Sequence, residues 1–233
     1  MALRKIVTTL ASLVCAFSLN VAHGQSAAPT TAIPKLGSHY LQLSKAQNVD
    51  SKDKIEIIEF FAYFCGHCYK LDAPLTAWAQ KNSQYVQLKR IHSNLGDFAT
   101  HQRLFYSLDA LGRVDDLHPK VFQAYHQERK RLRSDVEVMD FVKSLGLDPA
   151  KFAQVYQSFA VNLKLQRSAQ TQVAYNATNE VPLLAIDGRF MTSVAIVGNA
   201  TNPQASEETQ IEEMLKVLDF LVDKIRKERA QTK

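Results

Sequence analysis

The chain has 233 residues, 46% hydrophobic and 22% charged, the make-up of a globular protein long enough for one large core or two small ones. Its formal net charge is +5, with no basic stripe of interleaved aromatics, so nucleic acid is not indicated and the charge says little about partners.

The first 24 residues have the layout of a secretory signal peptide. Arg4-Lys5 precedes an apolar stretch over 6–19 that is short for a membrane span, and small residues at Ala22 and Gly24 suit cleavage before Gln25. Cys15 lies in that stretch and leaves with it; Ser12-Leu13-Val14 lacks the small residue expected before a lipid-bearing cysteine. Loss of Arg4 and Lys5 takes the net charge from +5 to +3. Residues 25–38, rich in Ala, Ser, Thr and Pro, read as a flexible lead-in.

Residues 40–43 alternate and predict an edge strand. Residues 54–63 alternate at first and then turn almost wholly apolar, which predicts a central strand covered on both faces. Cys65-Gly66-His67-Cys68 follows at once. The spacing after it predicts a helix to Lys81, with Leu71, Leu75 and Trp78 on one face and a kink at Pro74. A further strand is predicted over 85–91.

From 97 to 178 the pattern is helical throughout, about four helices. Leu104, Phe105, Leu108 and Leu111 share one face, and Pro119 is expected to open the next helix. Ser134 and Glu137 form a capping box, Asp148-Pro149 marks another start, and one face then runs from Phe152 toward Ala174. The basic run 129–133 reads as the solvated side of this block. Strand character returns over 181–186, Asp187-Gly188 signals a tight hairpin, and 189–191 is the returning strand. Residues 194–197 read as an apolar loop lining, and 206–229 as an amphipathic closing helix with basic residues at its end.

Two cysteines remain after export, two residues apart. A disulfide staple gains most from closing a long loop, so a lone Cys-x-x-Cys in an exported chain points to redox chemistry. A structural zinc needs about four ligands; no second cysteine pair exists, and His67 between the two cannot easily join them. At the start of a helix Cys65 faces unpaired N–H groups and the positive end of the dipole, which lowers its pKa and makes it the expected nucleophile, its sulfur exposed. Cys68, one turn in, is the buried resolving partner. His67, charged or donating a hydrogen bond, is expected to stabilise the Cys65 thiolate.

Glu59-Phe60-Phe61 with Phe64-Cys65-Gly66-His67-Cys68-Tyr69, and Glu180-Val181-Pro182 at the spacing seen, resemble the DsbA family of periplasmic thiol oxidases. The resemblance implies an α/β thioredoxin fold with an inserted all-helical domain: 39–96 and 179–233 form the thioredoxin-like domain, and 97–178 the insert. It implies that Glu59 is a buried acid relaying a proton to or from Cys68, with Asp72 and Arg90 as charged neighbours. It also implies a cis Val181–Pro182 bond, with Gly66, Val181 and Pro182 meeting an extended substrate.

The implied protein is a periplasmic, monomeric enzyme without organic cofactor or metal. It donates the Cys65–Cys68 disulfide to unfolded exported proteins and is recycled by a DsbB-type membrane quinone-linked oxidase. Gly66 departs from the family's best-known form, which has Pro there, and Cys-Gly-His-Cys also looks like the motif of protein disulfide isomerases. A reductase or isomerase, a peptide-binding chaperone and a metal-delivery protein are the alternatives.

Overall fold

The apolar run before the cysteines is β2 (Ile55–Phe61), and every residue of it is buried. In this computed structural model residues 33–231, except Lys52, are described; the predicted signal peptide, Cys15 and the lead-in up to residue 32 lie outside the described residues. β2 runs parallel to β3 (Val86–His92) and antiparallel to β4 (Leu183–Ile186). With β5 (Phe190–Thr192) and the short β1 (Leu41–Gln42) they form one sheet in the order β1-β5-β4-β2-β3, so β1 is the edge strand predicted for it.

The period of two sends Ile55, Ile57 and Glu59 to one face of the sheet and Ile58 and Phe60 to the other. On the first face α1 (Gly66–Lys81) and α8 (Glu207–Gln231) pack their apolar stripes, Leu71, Leu75 and Trp78 against Met214, Leu218 and Leu221. Trp78 Nε1 donates to Asp219 Oδ1 at 2.7 Å and ties the two helices together. α1 runs as a single helix through Pro74.

Among the described residues five helices, not about four, lie between β3 and β4: α2 (Ala99–Ala110), α3 (Val114–His126), α4 (Asp135–Ser144), α5 (Pro149–Tyr156) and α6 (Phe159–Ala174). The run read as one face from Phe152 onward is broken at Ser158, whose side chain accepts from Val161 N and starts α6 afresh. Pro119 does not open α3. The helix begins five residues earlier, with Asp115 and Asp116 in its first turn, and accommodates the proline inside it. The basic run 129–133 connects α3 to α4, and its Arg129, Lys130, Arg131 and Arg133 are exposed, as expected of a solvated side; Arg129 and Leu132 take φ of 59° and 51°, and Leu132 turns inward and is buried.

The segment 194–197 is not a loop lining but the start of α7 (Val194–Thr201), capped by Ser193 through Ile196 N. Apolar residues hid a capping serine there. The core of the helical block reaches back to Phe61, Tyr63, Cys65 and Cys68, so the cysteines sit where sheet and helices meet.

The hairpin predicted at Asp187-Gly188 is present, with φ of 54° and 65°. Its tip is closed on: a Cβ at Gly188 would stand 2.2 Å from the Gln47 carbonyl oxygen, and Gly188 O accepts from Gln47 N at 2.8 Å. Gly188→Ala is therefore expected to lose at least about 2 kcal/mol, from left-handed strain and a clash with backbone that cannot rotate away. Chemical denaturation measures this; an unchanged midpoint would show that the turn relaxes freely.

Candidate active site

Cys65 is the residue that caps α1. Its backbone is extended (φ −81°, ψ 114°) and its sulfur accepts from Cys68 N at 3.2 Å, so the sulfur lies against the open end of the helix as predicted. The expected exposure is corrected: Cys65 is only 9% exposed, because Phe64, Val181 and the helical block crowd it, while Cys68 is 0% exposed. Both cysteines are free thiols in this structure.

Their acidities are driven apart. Cys65 is lowered from 9.0 to about 7, first by a hydrogen bond from the Cys68 thiol, against the effect of burial, and then by the Cys68 N–H and the charge and N–H of His67. Cys68 is raised well above 9.0 by burial, by its bond to Cys65 and by the nearby charges of Cys65 and Glu59. One sulfur is ionisable at neutral pH and the other is not. His67 itself is 73% exposed, and its Nδ1 donates to Glu207 Oε1 at 2.5 Å. Cys68 thus contributes more to the Cys65 shift than His67, the residue the sequence singles out.

Beneath the cysteines the parallel register of β2 and β3 sets Glu59 directly beside Arg90. Arg90 Nε donates to Glu59 Oε2 at 3.0 Å, and its Nη2 donates to Asp72 Oδ1 at 2.9 Å and to Thr76 Oγ1 at 2.6 Å. Both residues expected as charged neighbours of Glu59 are thereby brought together with it. His118 was not foreseen: from α3 its Nε2 comes within 3.3 Å of Asp72 Oδ1, and its Nδ1 lies 3.0 Å from Tyr63 Oη. Asp72 stays low although burial opposes it, because His118 and Arg90 hold its anion.

Glu59 is fully buried and its Oε1 has no hydrogen-bond partner in the structure. Burial raises its pKa from 4.5 to about 7 against the pull of Arg90, with Asp72 adding to the rise. Two carboxylates share one guanidinium; Asp72 keeps its charge and Glu59 is poised to gain or lose a proton near neutrality.

The sign of that shift makes a stability prediction. Between about pH 4.5 and 7 the native protein holds a proton on Glu59 that the unfolded chain has released, so stability falls as pH rises through that window. Glu59→Gln removes the penalty while its amide oxygen still accepts from Arg90. It should stabilise the reduced protein by about 1–3 kcal/mol at pH 8 and leave it unchanged at pH 4. Thermal unfolding at the two pH values checks it; an equal gain at both refutes the titration.

Across from the cysteines the Val181–Pro182 bond is cis, as expected, and the Val181 carbonyl oxygen accepts from Cys65 Sγ at 3.6 Å. A pocket of about 250 Å³ opens beside it, lined by His67, Val181, Pro182, Ser193, Val194 and Glu207. Gly66 stands exposed at the first position of α1, and a Cβ there would meet nothing within 4 Å, so neither space nor backbone demands glycine.

Comparison with known proteins matches residues 73–210 to the DSBA-like thioredoxin domain and residues 41–99, which contain both cysteines, to the thioredoxin family. The chain belongs to the DSBA-like thioredoxin family. DsbA of Pseudomonas aeruginosa, a thiol:disulfide interchange protein, is 32% identical over 198 residues, covering 84% of this chain and 87% of its own length. The Bordetella parapertussis DsbA is 41% identical over 162 residues, 69% of this chain and 76% of its own. The crystal structure of the Pseudomonas aeruginosa protein superposes with a TM-score of 0.75 at 30% identity, covering 86% of this chain and 97% of that one. The architecture is thus the thioredoxin fold with a helical insertion, and the chain, DsbA-like, is a thiol:disulfide oxidoreductase that exchanges disulfides with protein substrates through a redox-active cysteine pair.

Proposed function

We propose that the chain works as a disulfide donor, with Cys65 as the sulfur that substrates attack. The observation that carries this is the split acidity of the pair: Cys65 drawn down to about 7 beside a buried Cys68 pushed well above 9.0. A cysteine stable as a thiolate is a good leaving group, and it favours the reduced enzyme, which makes the oxidised enzyme a strong oxidant.

In the oxidised protein a substrate thiolate attacks Cys65 Sγ. A substrate–Cys65 disulfide forms, the Cys65–Cys68 bond breaks, and the electron pair passes to Cys68 Sγ. That sulfur is too basic to remain ionised, and Glu59, protonated about half the time at neutral pH, supplies its proton. A second substrate thiolate then attacks the substrate sulfur of the mixed disulfide, and Cys65 departs as a thiolate. The main chain at Val181 pairs with the extended substrate, and Gly66 and Pro182 flank it. The signal-peptide layout of the first 24 residues supports action in the periplasm on newly exported proteins. A DsbB-type membrane oxidase passing the two electrons to quinone would restore the disulfide.

Gly66 favours a second reading, a reductase or isomerase. Equilibration with glutathione buffers decides. A potential near about −120 mV, the established value for DsbA proper, supports the donor; one near about −270 mV, that of thioredoxin, overturns it.

A further inference from the structure

Glu207 opens α8, 140 residues beyond His67, and its carboxylate reaches back to the cysteine loop. Oε1 accepts from His67 Nδ1 at 2.5 Å, and Oε2 accepts from Lys70 Nζ at 2.7 Å. Burial works against its charge, but the bonds from Lys70 and His67 outweigh it and hold the carboxyl below the usual range. The first turn of α8 favours the anion as well. Glu207 is 19% exposed, against 73% for His67 and 53% for Lys70, so the acid is the fixed member of the trio. A carboxylate that accepts from one ring nitrogen fixes how the ring is turned, and His67 is among the groups that favour the Cys65 thiolate.

We propose that Glu207 is a positioning residue, which holds the His67 ring in place beside Cys65 and so sustains the Cys65 thiolate. The inference rests on Cys65 being the exchanging cysteine. It applies to the oxidised enzyme too: the same ring, held in place, stabilises Cys65 as the leaving thiolate when the mixed disulfide is resolved.

The charged and titratable groups around His67 are Cys65 and Lys70 on α1, Glu207 and Glu208 on α8, and Glu180, which lines the same pocket ahead of β4. They make the sign of the effect diagnostic. Acting directly on Cys65, the Glu207 charge repels a thiolate, so removing it would lower the Cys65 pKa. Freeing Lys70 from its partner would lower it as well. Only a route through His67 raises it.

The test is the thiolate ultraviolet absorbance of the reduced protein, titrated across neutral pH, in which Cys68 stays protonated. Glu207→Gln keeps the size of the side chain and removes its charge. The Cys65 midpoint is expected to rise by about half a unit to one unit, so that the ionised fraction at pH 6 falls roughly three- to tenfold. In a His67→Leu background the same substitution should give no rise. An unchanged or lowered midpoint overturns the proposal, and so does a rise that persists without His67. Failure of the underlying assignment reads differently: the parent protein would then show no transition near pH 7 that Cys65→Ser abolishes.

Discussion

Cys65→Ser is expected to abolish disulfide transfer, and Cys68→Ser to halt it at a stable mixed disulfide. The two sulfurs are three residues apart, yet Cys65 keeps an opening to solvent and titrates at about 7, while Cys68 is closed off and stays protonated well above 9.0. At pH 7 about half of Cys65 is ionised and under roughly 1% of Cys68, so alkylation of the Cys65→Ser protein should be at least about fiftyfold slower than that of Cys68→Ser. Serine at 68 can still donate to Cys65, so the alkylation profile of Cys68→Ser should keep its midpoint well below 9.0. Mass spectrometry after incubation with glutathione disulfide would find one adduct on Cys68→Ser and none on Cys65→Ser. Equal adducts on both would remove the distinction between attacking and resolving cysteine.

Arg90→Met should be the most destabilising change in the site. Arg90 compensates Glu59 and Asp72 together, and its loss leaves two buried carboxyls facing each other. Breaking a buried pair from one side costs about 3–5 kcal/mol, which for a chain of this size lowers the melting temperature by roughly 10 °C. The loss depends on pH. Without Arg90 nothing opposes the effect of burial on Glu59, so its native pKa rises further above the unfolded one and stability falls as pH rises, while His118 still faces Asp72. The variant should come closest to the parent below about pH 4, where Glu59 is protonated folded or unfolded, and fall furthest behind above pH 7. Glu59→Gln added to Arg90→Met should recover part of the loss at pH 8. Melting curves at the two pH values measure this, and a loss independent of pH would mean that packing, not charge, is what Arg90 supplies.

Much of this site was legible because its chemistry is local in the sequence. Cys65 caps the helix that Cys68 enters, and a four-residue motif between a strand and a helical pattern carries that arrangement in full. The Asp187-Gly188 hairpin and the Ser134 cap were legible for the same reason, since turn and cap geometry depend on neighbouring residues. What the pattern could not carry was partnership across the fold. His118 sits on an apolar face of α3 where a core aromatic would look the same, and only packing against α1 turns its ring toward Asp72. Glu207 reads as an ordinary acid in the first turn of a helix until α8 lies beside α1. Asp72 carried a weak signal, a charged residue in the same stripe as Leu71 and Leu75. The extra helix break at Ser158 and the helix at Val194 were missed because serine caps are short and the flanking residues are apolar.

The placement of the five helices between β3 and β4 has a consequence for how the molecule is made. Cys65 and Val181 meet across 116 residues, and the strands that hold them, β2 and β4, are neighbours only once that stretch has been closed. Closing a loop of that length from an unstructured chain costs about 4 kcal/mol in entropy, and folding the helices first shortens the path that remains to be closed. During synthesis the cysteine pair emerges well before the strand that completes its surroundings. A growing chain therefore carries both thiols before it has the Val181 carbonyl or Glu207, the two groups from distant sequence that reach the cysteine loop.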